Sequence, residues 1–317
     1  MDAVWDFLFG SPAFLTFGLY TVVMVAGLAI LLHLQLGVAG IGNFGVVGIW
    51  GLGMYSIGVL TVNYDWPYLA ALVTATALAG VAGLAVGWLV ADLDADGVLG
   101  ATLAVATIAF LIADGERDLT GGQVGLGTID FPFDVGARTD TVWLAILAVV
   151  VAAIGAYAAR VHRSPYGRLL IAIGDNEALA RSLGKSTFAT KMQLFAITSA
   201  GMGLLGALYA SMSHFLFPQH IDVRLTVAVV VALVLGGSRR VAGPLVGAVL
   251  SVGLFDVVIK VYVKLPAGFV EQAYPKVQQM VFGALLIVLL LFRPRGLLGD
   301  MRRDRRAQGR GRWAARP

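Results

Sequence analysis

Side chains able to do chemistry are scarce in the apolar stretches of this sequence, and their spacing limits what they can do. Asp256 and Lys260 stand four residues apart with the acid first, the favourable order for an ion pair across one helical turn. Both fall toward the outer end of an apolar segment, where a lysine snorkels to the interface, so they read as an interfacial pair rather than a proton relay. His33, Gln35 and Asn43 flank a glycine-rich stretch in which freed backbone groups can line a polar cavity. His33 by itself reads as a structural histidine near an interface. Thr102 and Thr107 are expected to bond carbonyls of their own helix. No apolar stretch holds the paired carboxylates or His/Asp cluster that acid–base or metal chemistry needs. Cysteine is absent altogether, which removes disulfides, thiolate metal sites and cysteine nucleophiles. Enzyme function is therefore disfavoured, and no cofactor or metal is expected.

Two pattern matches lead nowhere. Gly40-Ile41-Gly42-Asn43-Phe44-Gly45 is a formal GxGxxG followed by Asp65, but a dinucleotide fingerprint must leave a strand and open a helix in a soluble βαβ unit, and no such unit is present. Gly184-Lys185-Ser186 resembles the end of a phosphate-binding loop, yet Leu179 stands where that loop needs its first glycine. ATP, if used, must be bound by a separate subunit.

The elements that carry these residues are membrane spans. The chain has 317 residues, 58% hydrophobic and 13% charged, against about 25% charged in a soluble domain. Mean hydropathy is +0.84. Its 40 glycines suit close helix approach in lipid. Segments near the length of about 20 residues that a bilayer requires fall near 13–36, 38–62, 68–91, 97–113, 141–159, 192–213, 225–237, 241–263 and 277–292. The second is studded with glycine and the seventh is short, so both read as broken or re-entrant. The expected fold is an all-α polytopic membrane protein of roughly 8–10 helices, with one transmembrane domain over 1–299 and a basic, disordered tail over 300–317. Continuous rather than alternating apolarity argues against a β-barrel.

Basic residues orient the bundle. None precedes Arg117, so the charged start of a cleavable signal peptide is lacking and the first apolar segment is expected to be retained. Six of the 23 Lys and Arg lie in the loop of about 160–191 and nine from Arg293 onward, so both regions, with the C-terminus, are expected in the cytoplasm. The acidic loop of about 114–140 is expected outside. The net charge of +4 is concentrated in the two basic blocks, and the basic tail is expected to be either solvated or resting on anionic lipid, with no nucleic acid as a partner.

Within the basic loop, Ser164-Pro165 reads as an N-cap followed by proline at the first helical position. Leu169, Leu170 and Ile173 give that helix an apolar side, and Gly174-Asp175-Asn176 break it. A second short helix runs from Glu177 to Gly184, whose freedom at positive φ suits a helix end. This unit cannot cover its apolar side alone. It needs the membrane surface, a partner protein or its own bundle.

Here the residues resemble a known family. Arg163-Ser164-Pro165-Tyr166-Gly167-Arg168, Ala172-Ile173-Gly174-Asp175-Asn176-Glu177 and Ala180-Arg181-Ser182-Leu183-Gly184 are similar to the coupling loop of branched-chain amino acid ABC importer permeases. Leu119-Thr120-Gly121-Gly122, Leu235-Gly236-Gly237 through Gly243-Pro244, and Phe292-Arg293-Pro294-Arg295-Gly296-Leu297 resemble its LivM branch. The resemblance implies a bacterial inner-membrane subunit that pairs with a LivH-like second permease. It also implies two cytoplasmic LivG/LivF-like ATPases and an extracytoplasmic substrate-binding protein. ATPase coupling is then expected at Arg163, Gly167, Arg168, Asp175, Glu177, Leu179, Leu183 and Gly184, and the translocation path at Gln35, Asn43, Phe44, Gly45 and Thr107. Leu32-His33-Leu34-Gln35 and Asn43-Phe44-Gly45 depart from the family pattern near that path. Branched-chain amino acids lead as substrates, with urea, short amides or aromatic acids as alternatives. A secondary transporter or channel is the rival of another class, disfavoured because the spans hold almost no charge.

Overall fold

The computed structural model describes residues 12–127, 139–213, 215–237 and 240–253, and a few positions between 277 and 297. Asp256, Lys260, residues 128–138 of the acidic loop and the tail from 298 onward lie outside the described residues, so the expectations placed on them are not addressed by it. The described chain is helical, with one isolated bridge between Leu126 and Leu216.

Helix α1 (Pro12–Leu32) continues as a π-helical turn over His33–Val38. A non-helical turn follows, and α2 (Val46–Gly58) rises from it, ending in a second π turn over Val59–Asn63. The glycine-rich segment expected as one broken span is thus a turn at Gly40–Gly45 followed by an unbroken helix. The reason is local: Gly40 has φ +70°, open to glycine without strain, and Asn43 turns its side chain back to accept from the Gly45 N–H at 2.7 Å. Next come α3 (Tyr68–Val90) and α4 (Ala95–Gly115), whose N-cap Asp94 accepts from Gly97 N. Then follow α5 (Thr139–Arg163), the two short helices α6 (Pro165–Asp175) and α7 (Glu177–Ser182), and α8 (Thr187–Ser213). The last are α9 (Val223–Gly236) and α10 (Ala242–Ala248). Among the described residues, seven helical stretches are long and apolar enough to cross a membrane, and 242–253 forms a shorter apolar one.

Helix α8 is the axis of the bundle, packed on α2, α3 and α1. Small residues permit this: a methyl on Gly53 of α2 would run into the backbone of Gly203, one on Gly206 into Trp50, and one on Gly83 of α3 into Ser199. In lipid, where apolar side chains gain nothing by leaving their surroundings, such backbone approach supplies the packing energy. Around this core, α3, α4 and α5 keep most of their apolar surface facing outward. Helix α9 alone, at 14 residues, rises about 21 Å, and it reaches membrane length only together with the preceding turn at Pro218–His220. Gly237 (φ +101°) turns the chain and α10 folds back on α9, Gly236 against Gly243 and Ala232 against Gly247, which makes a tight helical hairpin.

Candidate functional site

The α6–α7 unit is built by its caps. Ser164 Oγ accepts from Gly167 N at 3.0 Å with Pro165 at the first helical position, and Asn176 Oδ1 accepts from Leu179 N at 3.0 Å. Asn176, read from sequence as part of a helix breaker, is therefore the start of α7. Gly184, at φ +74°, follows its end. The bundle itself covers the apolar side of α6, where Leu170 and Ile173 are buried. The outer surface of α7 is left open, with Leu179 59% and Leu183 70% exposed. A shallow recess beside them is lined by Glu177, Ala178, Arg181 and Ser182. Arg163, Arg168 and Asp175 are exposed, whereas Gly167 is buried where a side chain would strike the Val161 carbonyl.

Three contacts fix this unit to the bundle. At the end of α6, Gly174 lies on the backbone of Val38 and Ala39. Tyr166 Oη donates to the Thr190 carbonyl of α8 at 3.2 Å, and burial together with Tyr157 pushes the phenol up to about 12. Lys191 Nζ donates to Glu177 Oε2 at 2.5 Å and to the Ala91 carbonyl, at the end of α3, at 3.3 Å. Arg181 adds a 3.2 Å bond to the other Glu177 oxygen. Burial alone would raise the Glu177 carboxyl, but its bonds to Lys191, Thr187 and Arg181 and the Lys191 charge outweigh this and hold it below its ordinary value. Glu177 therefore keeps no free carboxylate for a partner, because its oxygens are already engaged within the chain. A cavity of about 150 Å³ lies beside this pair, walled by Gly40, Gly42, Gly174, Glu177, Lys191 and Phe195 among others.

One layer deeper, the polar residues of the Gly40–Gly45 turn form a closed network. Gln35 Nε2 donates to Thr198 Oγ1 at 2.6 Å, Asn43 Nδ2 donates to Gln35 Oε1 at 2.9 Å, and the Gln35 carbonyl accepts from Ile41 N at 2.9 Å. Thr102 bonds the Val98 carbonyl of its own helix, and its oxygen also accepts from Phe44 N at 3.0 Å. Gln35 and Asn43 are buried, Phe44 is half-buried, and a side chain at Gly45 would meet the Thr102 carbonyl. Thr107, bonded to the Leu103 carbonyl, stands apart on the exposed side of α4. Nearby, His33 stacks on His162 at the end of α5, with Nε2 atoms 3.1 Å apart.

Sequence reasoning missed Lys191, Thr198 and His162. A signal existed for Lys191, since a charge among apolar helical residues marks a candidate site. Reading the apolar segment from Met192 left that lysine one position outside.

The chain matches, over residues 14–290, the family described as branched-chain amino acid transport system / permease component. It is 25% identical to the high-affinity branched-chain amino acid transport system permease protein LivM of Escherichia coli over 94% of this chain and 72% of the relative. A probable branched-chain amino acid transport permease protein LivM of Methanocaldococcus jannaschii is 26% identical over 92% of this chain and 93% of its own length. The autoinducer 2 import system permease protein LsrC of Enterobacter sp. is 29% identical over 76% and 70%. With seven membrane-length helices among the described residues and a family match over most of its length, the chain belongs to the branched-chain amino acid ABC transporter permeases, a multi-pass membrane transport protein of LivM type and not an enzyme.

Proposed function

We propose that this chain is one transmembrane half of an ABC importer that carries branched-chain amino acids into the cytoplasm. A LivH-like permease is its other half, two LivG/LivF-like ATPases supply the energy, and an extracytoplasmic binding protein delivers the solute. The observation that carries this reading is the exposed pair Leu179 and Leu183 on a short helix otherwise fastened to the bundle. Apolar side chains displayed at the tip of a rigid unit fit a partner surface, and Arg163, Arg168 and Asp175 supply a charged rim that sets register. The residues from 1 to 299 act as a single permease domain, with the 300–317 tail and the α6–α7 unit on the cytoplasmic side of the cell membrane. On this reading Gln35, Asn43, Phe44, Gly45 and Thr107 belong to the solute path, the first four grouped at the Gly40–Gly45 turn and Thr107 on the exposed side of α4.

The LivM relatives support amino acids as the solute. The LsrC match supports a second reading, in which the solute is a small polar molecule other than an amino acid; urea, a short amide and an aromatic acid are the candidates that the sequence resemblance offers. The test is ATP-driven uptake in proteoliposomes holding this chain with the permease, ATPases and binding protein encoded beside it. Labelled leucine, isoleucine and valine should accumulate and compete with one another. Accumulation of none of the three, with uptake of urea or an aromatic acid instead, would select the second reading.

A further inference from the structure

Lys191 is the one buried residue among Lys, Arg, Asp and Glu in the described part of the chain. A buried ammonium is kept charged only where partners replace its water, and here they come from two different helices. Glu177 opens α7, and Ala91 ends α3, where the last carbonyls lack helical partners and carry the negative end of the helix dipole. We propose that Lys191 is a positioning residue of the transport cycle, whose single ammonium joins α3, α7 and α8 so that a displacement of α7 moves the bundle.

The path from this ammonium into the membrane is continuous. Lys191, Phe195 and Thr198 recur along one face of α8, about 10 Å from first to last, and all three are buried. Thr198 receives the Gln35 amide, which in turn holds Asn43 and the Gly40–Gly45 turn. The cavity walled by Gly40, Gly174, Glu177 and Lys191 leaves space beside the pair for α7 to tilt. Without the ammonium, α7 would tilt into that space and leave α3 and α8 where they were. A partner docked on Leu179 and Leu183 would then move only the surface helix. This inference rests on the proposed docking of an ATPase at α7.

The test uses the full importer in proteoliposomes, with three readouts: copurification of the ATPase, ATP hydrolysis, and solute uptake per ATP. Lys191→Met keeps the stem and removes the charge. It should retain copurification and hydrolysis while uptake per ATP falls about tenfold, and Lys191→Arg should recover most of that loss. Should Lys191→Met insert poorly, Lys191→Met with Glu177→Gln removes both charges and is expected to show the same uncoupling. Wild-type uptake per ATP in either variant would overturn the proposal. So would failure of both to assemble, since that would make Lys191 a residue of folding alone. A wild-type complex that shows no ATP-driven uptake would instead overturn the functional reading on which the proposal rests.

Discussion

Gly174 of α6 sits on the turn that ends the first span: a methyl built on it would stand 2.9 Å from the Ala39 carbonyl carbon and 3.0 Å from the Val38 oxygen. The contact is reciprocal, since a methyl built on Gly40, at φ +70°, would stand 3.3 Å from the Gly174 Cα. Gly174→Val should therefore push α6 off the bundle at a cost of about 1–3 kcal/mol, the usual penalty of overpacking. Thermal unfolding in detergent measures the loss. An unchanged midpoint would show that α6 is not seated on this turn.

The Gln35–Asn43 network predicts coupled losses. Gln35→Ala strands the Asn43 amide, and Asn43→Ala strands the Gly45 N–H, each at about 1–3 kcal/mol for a buried group left unpaired. Because the two share a hydrogen bond, the double variant should lose less than the sum of the singles. A double-mutant cycle on detergent unfolding reads this, and strict additivity would mean that the two side chains do not meet.

A pH dependence follows from Glu177, whose carboxyl is held below its ordinary value. A depressed folded-state value means that the ion pair contributes stability fully above the ordinary carboxylate range and loses it as pH falls through the lowered value. Coupled transport should therefore be insensitive to Glu177 between neutral pH and pH of about 5, and fail only in stronger acid. A Glu177→Gln variant, which has no carboxylate to titrate, should lack this acid-dependent step. The same acid profile in both would assign the step to other groups.

Orientation is testable because the chain has no cysteine. Val124→Cys, at a position 83% exposed, should react with an impermeant maleimide added outside. Asp175→Cys, exposed on α6, should react only after the membrane is permeabilised. The reverse pattern would invert the topology derived from the basic residues.

What sequence reading captured was local. The Ser164-Pro165 helix start, the positive φ of Gly184 and the bonds of Thr102 and Thr107 to their own helix each depend on residues within four positions. The seven spans among the described residues were legible for the same reason, as continuous apolar runs. What escaped it was pairing across the bundle. Lys191 meets Ala91 over 100 residues of chain, His33 meets His162 over 129, and Gln35 meets Thr198 over 163, separations on which helical periodicity is silent. For Glu177 the position at a helix start is readable from sequence, whereas its bond to Lys191, 14 residues away on another helix, is not.

The central claim, that α7 is where ATP-driven work enters the bundle, is tested most directly by Leu183→Asp. This side chain is 70% exposed and makes no part of the core, so the chain should insert and fold as before. A charge placed inside an apolar interface without a partner is costly, so the variant should pull down far less ATPase than wild type and lose substrate-stimulated hydrolysis. Copurification and hydrolysis at wild-type levels, with normal expression and insertion, would contradict the claim.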